Sequence, residues 1–99
     1  MIYTSPLAFS VLLDIHPYPN PFRPAEGHNY IIFTNLPANS DIVIATISGD
    51  IVYHEDGIGQ NDWMWDVKNE GGKDLASGVY LYNINFPSGS VGGKLMVTR

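Results

Sequence analysis

The spacing of the apolar residues constrains this chain more than any other feature. No window keeps apolar side chains at helical spacing for three turns, whereas short β-branched and aromatic runs recur between clusters of Gly, Pro, Asn and Asp. A chain patterned this way buries its apolar surface by pairing strands, so the fold class is all-β. Strands are expected at 8–15, 28–36, 41–48, 51–55, 62–67, 79–86 and 91–98. About seven short strands separated by turn signals predict a single immunoglobulin-like antiparallel β-sandwich with Greek-key connectivity. The 99 residues suffice for one core.

Alternation with a period of two assigns the faces. In the second expected strand Tyr30, Ile32, Thr34 and Leu36 share a face, which leaves Phe33 outside. Ile42 and Ile44 point inward together, and so do Trp63 and Trp65, with Met64 outside. Tyr80, Tyr82, Ile84 and Phe86 form an inward stripe, and Asn83 and Asn85 take the opposite face. Leu95 and Val97 compete with Met96 for the interior. If Tyr53, Trp63, Trp65, Tyr80 and Tyr82 faced solvent they would make a sugar-stacking platform, but their parity predicts core packing.

Turn chemistry supplies the connections. Ser48-Gly49-Asp50 predicts a hairpin, Pro87-Ser88-Gly89-Ser90 another, and the polar stretch 68–77 with Gly71 and Gly72 a crossover between sheets. Residues 16–25 hold four prolines and are expected to run as an extended linker, because proline cannot donate to a ladder. The expected division is 1–17, a first strand or the end of a preceding region plus that linker, and 18–99, the sandwich itself. The run Leu7–Leu13 is too short to span a bilayer and has no preceding Lys or Arg as a secretory leader would, so neither membrane insertion nor a leader is expected from it.

Charge and composition exclude several function classes. Ten Asp plus Glu against five Lys plus Arg give a net charge of -5, which repels a phosphate backbone, so no nucleic-acid partner is expected. Without cysteine there is no disulfide, thiolate zinc site or cysteine nucleophile. His16, His28 and His54 are scattered and match no zinc spacing, and no Ser-His-Asp set sits on a recognisable elbow; no catalytic residue, metal or cofactor is assigned. Asp66, Asn69, Glu70 and Asp74 crowd one loop in the manner of a calcium site. Lys68 stands where such a loop needs an oxygen, and turn formation is the expected role.

The segment Tyr18-Pro19-Asn20-Pro21-Phe22 resembles the opening of the C-terminal sorting domains of type IX (Por) secretion, a family grouped with the FlgD-type immunoglobulin-like domain of flagellar hook-capping proteins. Further matching stretches follow in order: Leu36-Pro37; Trp65-Asp66 with Asn69 and Gly72; Ala76-Ser77-Gly78-Val79-Tyr80-Leu81-Tyr82; and the ending Gly93-Lys94-Leu95-Met96-Val97-Thr98-Arg99. Coverage runs from about residue 18 to residue 99. Val67 departs from the family's usual Gly, and Gly92 with Gly93 loosens a strand that is commonly bulkier.

The resemblance implies a non-catalytic address that carries an attached upstream cargo protein through the periplasm and outer membrane to the cell surface or medium. Its partner would be a secretion-machinery protein at the outer membrane. The alternatives are a structural module of hook-capping type and an ancillary spacer or glycan-binding module of a secreted hydrolase. From Leu75 onward the chain has no Asp or Glu, and Lys94 and Arg99 carry two of its five positive charges. Lys94, Leu95, Met96, Val97 and Arg99 are therefore the expected recognition element, presented through side chains or by strand addition at the sheet edge; protection of that edge is their plainer role.

Overall fold

A computed structural model describes residues 15–59 and 61–99. The strands are β1 (Pro17–Tyr18), β2 (Ile31–Phe33), β3 (Ser40–Thr46), β4 (Ile51–Ile58), β5 (Trp63–Trp65), β6 (Gly78–Phe86) and β7 (Gly89–Val97), with a 3-10 turn at Pro24–Glu26. They form two antiparallel sheets, ordered β1-β2-β5 and β4-β3-β6-β7. This is the expected immunoglobulin-like sandwich. The chain changes sheets between β2 and β3, between β4 and β5, and again through the 66–77 loop into β6, as the crossover signal predicts.

The core lies between the sheets. Ile42 and Ile44 from β3, Tyr80, Tyr82, Ile84 and Phe86 from β6, and Leu95 and Val97 from β7 meet Ile31, Phe33 and Trp65 from the smaller sheet. The competition in β7 thus resolves for Leu95 and Val97, and Met96 faces solvent. Trp65 is 2% exposed, whereas Trp63 is only half-buried, stacked on Tyr53 at 6.1 Å along the side where β4 and β5 face each other. Tyr53 also contacts Trp65 at 5.8 Å, and Phe33 meets Tyr82 edge-on at 5.4 Å. The aromatic rings pack on one another, as parity requires for a core.

Three expectations are corrected. In β2 the inward residues are Ile31 and Phe33, and Tyr30 is exposed. Leu36 is buried too, but Asn35 between them has φ of 60°, a left-handed step that breaks the alternation; anchoring the parity on Leu36 inverts the strand. Second, the expected linker at 16–25 is built into the sandwich: Pro17 and Tyr18 pair with Phe33 and Ile32, and Phe22 is buried. Ile15 is buried as well. Third, Gly93 does not loosen β7. A Cβ there would lie 2.6 Å from the Tyr82 hydroxyl, so only glycine admits the ring that crosses it. The strand expected at 8–15 lies outside the described residues, apart from Ile15.

Candidate functional site

The site grows from an edge. β7 is the outer strand of the four-stranded sheet, and half of its backbone groups point away from β6. Such a row invites pairing with another chain. Here the Tyr18–Phe22 segment closes it. The Asn20 side-chain amide donates to Lys94 O at 3.1 Å, and its Oδ1 accepts from Met96 N at 2.9 Å. Phe22 continues with its backbone, N donating to Met96 O and O accepting from Thr98 N, both at 2.8 Å. Prolines at 19 and 21 cannot donate, so the segment alternates, using an amide side chain that imitates a peptide group and then a true peptide group. The peptide bonds before both prolines are cis.

Arg99 extends the clamp. Its backbone N donates to Ser77 Oγ at 2.8 Å, its Nε donates to Leu75 O, and its guanidinium lies 5.9 Å from the Phe22 ring centroid. Leu75 N in turn donates to Val67 O, and the Tyr80 hydroxyl donates to Ala76 O at 2.7 Å. The first, penultimate and last family stretches of the sequence therefore meet at one end of the sandwich. Arg99 is a fastened group rather than a freely swinging surface charge.

The third stretch is turn machinery, as expected of its side chains. Asn69 Oδ1 accepts from Gly71 N and Lys73 N at 2.9 and 3.0 Å, and the Trp65 indole donates to Lys68 O at 3.2 Å. Glu70 Oε2 accepts from His54 N and lies 2.7 Å from His54 Nδ1. Asp74 accepts from Lys68 Nζ at 2.7 Å; that hydrogen bond holds the Asp74 carboxyl below, and the Lys68 ammonium above, its ordinary pKa. Asn69 Oδ1, Glu70 Oε2 and Asp74 Oδ1 thus each accept from protein donors. Val67, where the family usually has Gly, takes φ of 60° and is fully buried, so the loop does need a left-handed residue there. Among the described residues no group of three or more His, Asp or Glu is placed to hold a metal. His28 Nδ1 accepts from Arg23 N in a local turn, far from His54 in sequence.

Of the expected recognition element, the structure separates the residues by parity. Leu95 and Val97 are each 1% exposed and pack in the core, while Lys94 and Met96 project from the sheet. The Asn20 clamp is what sequence reasoning missed; the motif singles out the segment, but a bond between residues 74 apart leaves no local signal.

The fold is thus a two-sheet sandwich whose β7 strand is held by the proline-rich segment and whose Arg99 is fastened across one end. The chain belongs to the family of secretion system C-terminal sorting domains, which matches residues 16–98. Among solved structures it resembles PorZ, an essential bacterial surface component of the type-IX secretion system of Porphyromonas gingivalis, at 26% identity and a TM-score of 0.76 over 91% of this chain. It also shares the fold of dimeric latent PorU from the same organism, at 22% identity and a TM-score of 0.63 over 84% of the chain. The chain spans only 12% and 9% of those proteins' lengths. No curated protein matches it. The family is one of sorting signals rather than catalysts, and its members act attached to the protein they sort.

Proposed function

We propose that this chain is the folded address of an exported protein: attached to an upstream cargo, it is recognised by a secretion-machinery protein at the outer membrane, and type IX secretion delivers the cargo to the cell surface or medium. It performs no chemistry and needs no cofactor. The observation that supports this reading is the convergence of the family stretches on β7, where Asn20, Phe22 and Arg99 hold the last strand in one fixed register.

The clamp favours one mode of recognition over the other. Strand addition along Lys94–Thr98 would need the four backbone groups that Asn20 and Phe22 occupy. Recognition therefore reads side chains on the folded domain, with Lys94 and Met96 available and Leu95 and Val97 acting by holding the strand in the core. The test is a reporter fused ahead of residue 1 and produced, with and without this domain, in a cell carrying the type IX machinery. The domain-bearing reporter is expected in the medium or on the surface and the bare one in the periplasm. Equal retention of both would overturn the assignment.

A further inference from the structure

One end of the solvent face of the four-stranded sheet is apolar, in contrast to the other end, where Asp41, Asn83 and Asn85 are exposed. Across the apolar end Ala45 pairs with Leu81 and Leu81 with Lys94, while Val79 pairs with Met96, so these side chains stand side by side. Ile47 is 68% exposed, Met96 42% and Leu81 37%. Together Pro21, Ile47, Val79, Leu81, Lys94 and Met96 line a shallow depression. Contiguous exposed apolar surface of this kind marks an interaction site.

Charge says what fits. Lys94 is the one ionised group in that depression, and none of the ion pairs among the described residues involves it. An occupant that is apolar throughout would bury an ammonium without a partner, which is strongly unfavourable. A second copy docked face to face would bring two Lys94 side chains together and join two chains of net charge -5. An anionic lipid surface would be held by one lysine, worth only about 1 kcal/mol. The outer face of the smaller sheet has its own apolar row, Tyr18, Ile32 and Met64, but Asp62 and Asp66 flank it and would repel an acidic partner.

We propose that the Ile47–Leu81–Met96 face docks onto the protein that recognises this domain, and that the docking surface of that protein is apolar with a carboxylate seated against Lys94. This rests on the sorting role proposed above and adds the surface through which it works.

The experiment uses the same fusion, in which the wild-type chain reports on the sorting role itself. Leu81→Asp places a charge in the centre of the face, and Ile47→Asp repeats the test at a position so exposed that folding is insensitive to it; thermal melts confirm the fold of each. Both should cut exported cargo about tenfold or more, the loss expected when a carboxylate is forced into an apolar contact. Lys94→Glu should do the same, Lys94→Arg should retain export, and Met64→Asp on the opposite sheet should export like wild type. If the wild type is exported and the folded Leu81 and Ile47 variants are too, the docking face is wrong and the sorting role stands. If the wild-type fusion stays in the periplasm, the role and the face fall together. A purified chain that dimerises until Leu81→Asp is introduced would make a second copy the occupant and overturn the proposal.

Discussion

Trp65 has the largest of the fully buried side chains: it sits opposite Ile31 of β2, its ring meets Tyr53 of β4, and its N–H is satisfied by Lys68 O. Trp65→Ala removes that volume and should cost about 3–5 kcal/mol, read from urea unfolding; a cost below about 1 kcal/mol would mean the indole is not a core group. Its neighbour Tyr53 gives the molecule an alkaline limit. Burial, then the 2.8 Å hydrogen bond to Glu55, then the charges of Glu55, Glu70 and Asp66 push the phenol up from 10.0 to about 12. The folded state therefore prefers the neutral phenol. Its contribution is complete below pH 10 and is lost as pH rises from there through about 12. Melting temperatures should fall over that window, and fall less for Tyr53→Phe, which keeps the stacking on Trp63 but cannot ionise. Burial raises Tyr82 as well, so part of the fall persists in the variant. An identical fall in both proteins would show that Tyr53 does not titrate against folding.

Strand parity made most elements legible from sequence, and its failures have local causes. The inward stripe of β6 has aromatic or branched residues at every second position, and β3 places Ile42 and Ile44 with equal clarity, so these two fix the larger sheet. The parity of β2 is lost because a left-handed asparagine, a conformation that residue tolerates, sits beside an apolar residue that looks like the next member of the stripe. β1 is hidden for another reason: a two-residue strand amid prolines has no period to read. The clamp on β7 is invisible until the chain is folded. It is also testable as an element, because Asn20→Ala removes two hydrogen bonds and reopens part of a sheet edge. Each exchanged bond is worth about 0.5–1.5 kcal/mol net, so the variant should lose about 1–3 kcal/mol in urea and show a rising apparent mass with concentration. Unchanged stability and a constant monomer mass would mean that the edge is protected by something other than Asn20.

For the whole molecule the sequence carries class more readily than place of action. Period-two patterning and turn residues specify a sandwich, and the ordered motif stretches point to the sorting family to which residues 16–98 belong. The proposed docking face was only half legible: the absence of acids after residue 74 marks the stretch that holds Leu81, Lys94 and Arg99, yet the fold buries Leu95 and Val97, fastens Arg99 and brings in Ile47 from the turn after β3, which the charge pattern does not mark. Closure of the β7 edge blocks pairing with neighbours along that strand, which fits the proposed role of a folded address. The most direct test of that claim is the amount of fused reporter outside the cell in two isogenic strains, one with a working type IX machinery and one without. The account predicts export in the first strain and periplasmic accumulation of the folded fusion in the second; equal amounts outside both strains, or outside neither, would contradict it.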